Sequence, residues 1–540
     1  MHQLTSRQVL GYPPSPDNAI KLRPVGDLAR EAPSRENGGI SEDGTFYTIH
    51  LRRGVRWDTH PPRELVAGDV VRGFEMLCNP VLPAGTLTYF LGSIAGMQAF
   101  CDDFAKVPGT TAAIRDFVNA RRIDGVRALD DSTVRFQLLS PRPDFLNLLA
   151  LPHSSAIPAE HLDYLTDGPE FRQHLLSAGP YRIARYLPGR ALEYERNPAW
   201  NADSDPIRPA YVDRIRVRMG IDAQLQQLQI EAGTADLGAE TVRGSDVGPL
   251  LASGNPTIWL SPTGDVWGNM TYLVFNRVGP RAARTVGVRD VRRAIALAID
   301  KAAIVQVNAG SRVARPPRQP IGSSVAGFTA GADAYVTPND RGDANAARAL
   351  LAQARYDGTQ PLRLAYPIDG SMPMIAQLIQ ASLARAGLAV TLQPVMNGEY
   401  YGRLLPDILN ARRGEWDLAM AGWYPDWFGE TNGRSVFSAL FDGRSIGVNS
   451  ANYGGFQSAA VDSAMDRASE APTTELARAA WSKVARLLSD EVADVPLIEL
   501  KTPFSKSRRV RGCTWLPSGI NCDLNNLWLS DAAPQRTATR

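Results

Sequence analysis

Residues 361–395 read PLRLAYPIDGSMPMIAQLIQASLARAGLAVTLQPV, and this stretch decides the fold class. Residues 361–367 have the composition of a strand, and a helical pattern follows over 374–386. Gly387 is the residue type that ends helices, after which 388–395 returns to a strand pattern. Two strands joined through one helix are typical of a parallel sheet. The stretch therefore predicts a layered α/β domain.

The chain on either side divides into a strand-rich first half and an alternating second half. The first half carries one predicted helix at 70–78, opened by Asp69, and predicted strands at 45–51, 132–139, 181–187, 190–196 and 211–219. From Val288 to Val305, apolar residues step by three and four, which predicts one helix face. Asp343 is expected to cap a further helix, and 416–422 is predicted as a strand.

Composition excludes several classes of protein. At roughly 150 residues per domain, 540 residues predict three or four domains. Apolar residues make up 44% and charged residues 21%, which is typical of a folded protein, and the net charge of +2 provides no general attraction for nucleic acid. The uncharged stretch 79–101 contains several Pro and Gly residues and cannot form a spanning helix.

The four cysteines form two close pairs in sequence, Cys78 with Cys101 and Cys513 with Cys522. No CxxC spacing occurs and no histidine accompanies them, so we expect no metal site. Two local disulfides would indicate an oxidising compartment. Four buried free thiols are the alternative, and the spacing does not decide between them.

Motifs for catalysis are almost absent, and no cofactor is expected. Residues 443–447 match GxSxG around Ser445. A hydrolase elbow needs a strand before the motif and a helix directly after it, and the glycine- and asparagine-rich sequence that follows does not favour a helix. We interpret the match as coincidental.

Residues 422–429, GWYPDWFG, are the strongest candidate for a binding site. They follow a predicted strand, and ligand crevices form at strand ends in α/β sheets. Asp426 is the single carboxylate among large apolar and aromatic groups. Such an acid needs a cation, supplied either by a protein arginine or by a ligand. The local sequence leaves both open.

Several separated segments together resemble one family. They are residues 43–57 (DGTFYTIHLRRGVRW), 67–71 (AGDVV), 179–183 (GPYRI), 195–200 (ERNPAW), 274–276 (VFN) and 291–301 (VRRAIALAIDK). Their order and spacing are similar to those of the extracytoplasmic solute-binding proteins of the peptide/nickel ABC importers, family 5, most nearly the actinobacterial type. The likeness extends from about residue 39 to residue 528.

The resemblance implies an α/β, two-lobed binding-protein fold with mixed sheets, a hinge between the lobes and an extra domain. By analogy, domain I comprises residues 1–30, 161–261 and 486–540. Domain II comprises 31–160, and domain III comprises 262–485.

The resemblance also assigns the candidate site. In the family's oligopeptide binders, a Gly-Trp-x-x-Asp segment meets the α-ammonium of the peptide through its Asp, which corresponds to Asp426 here. Gly422, Trp423 and Tyr424 then lie where backbone groups pair with an extended peptide, and Trp427 is expected to supply a wall with Trp423. Pro425 departs from the pattern because it lacks a backbone donor.

The implied function is non-enzymatic. It comprises capture of di- or oligopeptides by hinge closure and delivery to the permease subunits of an ABC importer. The implied protein is an extracytoplasmic monomer, at the cell surface or secreted, whose export signal and lipid anchor we expect outside the printed sequence. Oligosaccharide binding through stacked aromatic rings is the alternative within the family, and a secreted hydrolase using Ser445 is the alternative from another class.

Overall fold

A computed structural model describes residues 2–242, 244–263, 266–356, 358–447 and 450–530. These residues form two compact units. The first takes in the chain up to Asp222, Glu470–Pro472 and the chain from Arg509, and the second takes in Ala223–Ser469 and Thr473–Arg508. The three-domain division expected from the resemblance uses other boundaries and stays a prediction.

The strands and helices alternate along most of the chain. The strands are β1 Leu10–Gly11, β2 Val25–Gly26, β3 Phe46–His50, β4 Arg56–Trp57, β5 Arg63–Glu64, β6 Val126–Asp130, β7 Thr133–Gln137, β8 Tyr181–Leu187, β9 Ala191–Arg196, β10 Arg214–Arg218, β11 Leu237–Thr241, β12 Ile258–Ser261, β13 Asn269–Phe275, β14 Ala314–Arg315, β15 Leu362–Pro367, β16 Val390–Val395, β17 Leu418–Trp423, β18 Asp494–Leu500, β19 Thr502–Lys506, β20 Val510–Arg511, β21 Trp515–Leu516, β22 Gly519–Cys522 and β23 Trp528–Leu529. The helices are α1 Asn18–Lys21, α2 Ala67–Glu75, α3 Leu87–Leu91, α4 Met97–Phe104, α5 Thr111–Ala120, α6 Phe145–Leu149, α7 Ala223–Glu231, α8 Gly244–Ala252, α9 Arg289–Ala298, α10 Lys301–Val307, α11 Ala344–Gln353, α12 Met372–Arg385, α13 Asn397–Glu399, α14 Ile408–Arg413, α15 Arg434–Phe441, α16 Ala459–Ser469 and α17 Thr474–Glu491.

A six-stranded mixed sheet organises the second unit, in the order β14-β18-β13-β17-β15-β16. β15 and β16 pair in parallel and α12 connects them, which confirms the strand–helix–strand prediction for residues 361–395. Gly387 follows the last turn of α12 with φ of 86°, a left-handed conformation that glycine adopts at little cost. Asp343 caps α11 by accepting a hydrogen bond from the Ala346 amide, as predicted.

A large apolar cluster lies on this sheet, and α9 and α10 contribute to it. The prediction of one helix over residues 288–305 is wrong, because the chain forms two helices there. Ile299 is extended with ψ of 128°, and Asp300 accepts a hydrogen bond from the Ala303 amide as the cap of α10. An aspartate that caps a helix favours a new start over continuation of the preceding helix. The chain therefore breaks before α10, although the apolar spacing continues across the break.

The first unit is assembled from small sheets of two or three strands. The strands predicted at residues 181–187 and 190–196 are confirmed as the hairpin of β8 and β9, and β10 extends it to three strands. The helix predicted at residues 70–78 begins earlier, at Ala67, and ends in a 3-10 turn at Met76–Cys78. Asp69 therefore lies within its first turn, where its carboxylate accepts a hydrogen bond from the Val66 amide at 3.2 Å.

Asp27 is the centre of a buried ionic cluster in this unit. Its carboxylate accepts hydrogen bonds from Arg7 Nε at 2.7 Å and from Arg208 Nη2 at 2.5 Å, and all three side chains are buried. The Gln8 amide donates a further bond at 3.1 Å. Burial opposes ionisation of Asp27, but the two guanidinium groups outweigh that effect and hold its pKa below the usual value.

Both predicted disulfides are present. The Cα atoms are 5.3 Å apart for Cys78–Cys101 and 5.2 Å apart for Cys513–Cys522. The alternative of four free thiols is therefore wrong. Both bonds lie in the first unit, where each closes a local loop. Among the described helices, none is both long enough and apolar enough to cross a membrane.

Candidate functional site

The second unit has an open strand edge where β15 and β17 separate. β17 pairs with β13 as far as its last residue, Trp423, which lies opposite Met270. Its ladder with β15 ends at Ala419, which lies opposite Ala365. Within the described part of the chain, the β15-facing side of residues 420–423 therefore has no strand partner. We call these four residues the β17 edge.

The position of the β17 edge matches the place where α/β sheets bind ligands. β15 has parallel neighbours on both sides, β16 and β17, so the strand order reverses around it. Ligands bind outside the carboxyl ends of the strands at such a reversal. The β17 edge lies at that end of β17 and leads directly into the loop that contains Asp426.

Two tyrosines contact the inner part of the β17 edge. The Tyr400 hydroxyl lies 3.1 Å from the Ala365 carbonyl oxygen and 2.7 Å from that of Met420, so it connects β15 to β17 where they separate. Burial raises the pKa of Tyr401, while a hydrogen bond with the Gly422 backbone lowers it. A ligand strand that pairs at Gly422 would therefore displace this tyrosine hydroxyl or use the other backbone group of Gly422.

Four of the predicted ligand residues follow one another at this place. Gly422 and Trp423 end β17, Tyr424 is 45% exposed, and Asp426 is half-buried. Burial and the negative charge of Asp426 both raise the pKa of Tyr424, which indicates that the phenol and the carboxylate are neighbours. The arrangement combines an acid, an exposed ring and a strand end.

Trp427 lies elsewhere than we expected. Its exposed fraction is 0% and that of Phe428 is 1%, so both side chains belong to the core of the second unit. A ring with no exposed surface cannot form a wall against a ligand in this conformation.

Trp423 is fixed by its own hydrogen bond. Its indole Nε1 donates to the Ser435 carbonyl oxygen at 2.9 Å, at the beginning of α15. One side of the ring borders a narrow recess that Trp267 and Pro425 also line. The recess has a volume of about 10 Å³, which is enough for a single water molecule and too small for a peptide side chain.

Glu499 also lines this recess, and sequence reasoning missed it. Its buried carboxylate accepts a hydrogen bond from Arg315 Nε at 2.5 Å and another from the Ser323 hydroxyl at 3.1 Å. The Arg315 guanidinium lies over the Trp267 ring at 4.3 Å. This acid already has a resident cation. One acid inside the apolar run 495–500, VPLIEL, was the signal that could have identified it.

Ser445 does not occupy a hydrolase elbow. The GxSxG segment follows helix α15 instead of a strand, and Gly443–Ser445 forms a 3-10 turn. The exposed Ser445 hydroxyl donates to the Asp442 carbonyl oxygen at 2.8 Å. Residues 448 and 449, in the sequence after the motif, lie outside the described residues. The strand that a nucleophile elbow requires is thus replaced by a helix.

Comparison with known proteins identifies relatives along most of the chain. Residues 23–442 match the family model described as bacterial extracellular solute-binding proteins, family 5 Middle. Di/tripeptide-binding protein 2 of Pseudomonas aeruginosa is 27% identical over 407 residues, covering 72% of this chain and 67% of that protein. The dipeptide-binding protein of Escherichia coli is 25% identical over 409 residues, with the same coverage of 72% and 67%.

Solved structures share the fold over nearly the whole chain. The clavulanic acid biosynthesis oligopeptide binding protein 2 superimposes with a TM-score of 0.83 at 24% identity, covering 98% of this chain and 91% of that one. The Escherichia coli murein tripeptide binding protein gives a TM-score of 0.74 at 18% identity, covering 98% and 93%. These likenesses confirm the predicted fold class, an α/β binding protein of the two-lobed type.

Proposed function

Since the chain belongs to the bacterial extracellular solute-binding proteins of family 5, we propose that it binds peptides outside the cytoplasm and delivers them to an ABC importer. The names of its relatives support this proposal, because they include di/tripeptide-binding and dipeptide-binding proteins. The protein acts as a binding protein and not as an enzyme. Its partners are peptides and the permease subunits of the importer.

The observation that carries the proposal is the β17 edge, which lacks a strand partner among the described residues and ends three residues before Asp426. An extended peptide adds to such an edge through main-chain hydrogen bonds, which select for a peptide backbone and not for particular side chains. Gly422 and Trp423 supply the backbone groups, and the exposed ring of Tyr424 covers the ligand. Recognition of this kind suits an importer of mixed peptides.

Asp426 selects the amino end of the ligand in this proposal. A half-buried carboxylate beside the Tyr424 ring lies in a region of reduced dielectric, where an ammonium group binds more strongly than in water. Pro425, which is buried, fixes the backbone directly before Asp426.

Calorimetric titration with alanyl-alanine and alanyl-alanyl-alanine tests the proposal. Removing one partner of a desolvated ion pair costs about 3–5 kcal/mol, so Asp426→Asn should weaken binding by at least about a hundredfold. Asp333→Asn is the matched control, since Asp333 is an exposed aspartate of the same unit. Unchanged affinity in Asp426→Asn, or no binding of either peptide to the unaltered protein, would contradict the proposal.

We further propose a monomer that is retained at the outer face of the membrane by a lipid anchor or released from the cell. Fractionation of producing cells, with sedimentation of the purified protein, tests both parts. Recovery from the cytosolic fraction, or a stable dimer at micromolar concentration, would contradict them.

A further inference from the structure

The first unit contains a cavity that is separate from the β17 edge. Helices α2 and α5 and strand β6 line a partly open space of about 440 Å³, whose apolar walls include Val71 and Val118. Cavities that bind small molecules have about 300–1,000 Å³, so this one is large enough for a ligand. We call it the Glu75 cavity, after the acid in its lining.

Glu75 is buried without a hydrogen bond at one carboxylate oxygen. The residue is 2% exposed, and its Oε1 has no hydrogen-bond partner among the described residues. Arg122 Nη1 is 3.7 Å from that oxygen, beyond hydrogen-bond distance. Burial raises the pKa of Glu75 to about 7, and the nearby arginines only partly oppose this. A buried acceptor that borders an open space can receive its missing hydrogen bond from a ligand in that space.

Two arginines at the rim form only long ion pairs, Arg122 with Glu75 at 3.7 Å and Arg127 with Asp124, another lining residue, at 4.0 Å. Arg122 uses Nη1 for the Val118 carbonyl oxygen, and Arg127 uses Nε for the Asp124 carbonyl oxygen at 3.0 Å. Their other guanidinium N–H groups make no hydrogen bond within the described part of the chain. The two side chains are 57% and 68% exposed, so both can reorient toward a ligand.

The third arginine of the lining, Arg72, is already engaged. Its Nη1 donates to Asp69 Oδ1 and to the Ile157 carbonyl oxygen, both at 2.9 Å. Its fixed positive charge and the two arginines at the rim disfavour a ligand that is only a cation. The buried carboxylate of Glu75 disfavours a ligand that is only an anion. A molecule that carries both a positive and a negative group would pair with both the arginines and Glu75.

We propose that the Glu75 cavity binds a small zwitterion, whose ammonium group pairs with Glu75 and whose carboxylate pairs with Arg122 and Arg127. The ligand class is an amine that carries a carboxylate, of the size of an amino acid or a dipeptide. The site is distinct from the β17 edge, since all the residues that line it belong to the first unit.

Gly68 allows the cavity to be blocked without breaking an ion pair. It lies in α2, it lines the cavity, and a Cβ atom added there has no neighbour within 4 Å. Its φ is not in the left-handed region, so a methionine side chain fits the helix and occupies part of the space. Gly85, also in the first unit with open space around a Cβ, is not part of the lining and provides the matched control.

The test uses 5-aminopentanoate as probe, with pentan-1-amine and pentanoate as ligands that carry one charge each. Saturation-transfer NMR and calorimetry on the full chain at pH 8, where Glu75 is ionised, should give a dissociation constant of about 1 mM or below for 5-aminopentanoate. The two single-charge ligands should bind at least about tenfold more weakly. Gly68→Met should weaken binding of 5-aminopentanoate by about tenfold or more, whereas Gly85→Met should leave it unchanged.

Glu75→Gln and Arg122→Gln should each lower the affinity for 5-aminopentanoate by about tenfold or more. Unchanged affinity in Gly68→Met would place the probe elsewhere and overturn the proposal. Pentanoate binding as tightly as 5-aminopentanoate would overturn the role of Glu75. Absence of binding at about 10 mM probe would overturn the site itself.

Discussion

Asp27 in the first unit and Asp494 in the second are both buried, and their surroundings shift their pKa values in opposite directions. Asp27 is bound by Arg7 and Arg208, which hold its pKa below the usual value although burial acts against them. Asp494 has no hydrogen bond at either carboxylate oxygen within the described residues. Burial raises its pKa well above the usual value, and the positive charges of Lys301 and Arg277 do not compensate. Burial alone therefore does not determine the direction in which the pKa of an acid shifts, because the neighbouring cations also contribute.

The largest expected effect is the loss of the Asp27 charge. Asp27→Asn removes the charge of the nearer of two buried acids that pair with Arg7 and Arg208, leaving Asp205. Breaking a buried ion pair costs about 3–5 kcal/mol of unfolding free energy. Asp494→Asn is the matched change in the other unit. It replaces a carboxyl group that makes no hydrogen bond within the described residues by an amide of the same shape, so we expect less than about 1 kcal/mol. Chemical denaturation at pH 7 measures both, and equal costs would end the distinction between the two aspartates.

The disulfides test how far the first unit depends on local cross-links, since the second unit contains no cysteine. By loop-closure entropy, removing Cys78–Cys101 should cost about 3.4 kcal/mol and removing Cys513–Cys522 about 2.7 kcal/mol. Paired Cys→Ser variants, followed by thermal unfolding, measure the costs. If the two units unfold in separate transitions, only one transition should shift, because both disulfides lie in the first unit. Equal shifts of both transitions would be the contrary result.

Glu75 extends the comparison to an acid with a partly exposed cation nearby. Its folded pKa of about 7 exceeds the value of 4.5 for an ordinary glutamate, so the folded protein binds more protons between these limits. Stability from protonated Glu75 is therefore complete below pH 4.5 and is lost as pH rises to about 7, by about 3 kcal/mol. Glu75→Gln removes this dependence. Between pH 5 and pH 8, the unaltered protein should lose more unfolding free energy than Glu75→Gln. Parallel profiles of unfolding free energy against pH would contradict the shifted pKa.

The sequence was informative where the structure depends on local pattern. The segment 361–395 carries its own strand periods and a terminating Gly387, and it folds as predicted. The run from Val288 to Val305 shows the limit of that reasoning. Its apolar spacing continues through Ile299, although a side-chain cap from Asp300 divides it into two helices.

Long-range partners could not be predicted. Asp27 and Arg208 are separated by 181 residues, and nothing in either neighbourhood indicates that they meet. Glu75 left a signal that was missed. It lies four residues after Val71 and next to Phe74, on the buried face of α2, where an acid is unusual. At the candidate site, the strand end and Asp426 were predictable, whereas the burial of Trp427 depends on the packing of the core.

The most direct test of peptide capture is a two-by-two binding measurement. Calorimetry would compare alanyl-alanine with its amino-terminally acetylated form, each against the unaltered protein and Asp426→Asn. If the Asp426 carboxylate holds the ligand's ammonium group, acetylation should weaken binding to the unaltered protein by at least about a hundredfold. It should have little further effect in Asp426→Asn, because the charge partner is already absent. Equal losses on acetylation in both proteins would show that the amino end of the ligand is held elsewhere.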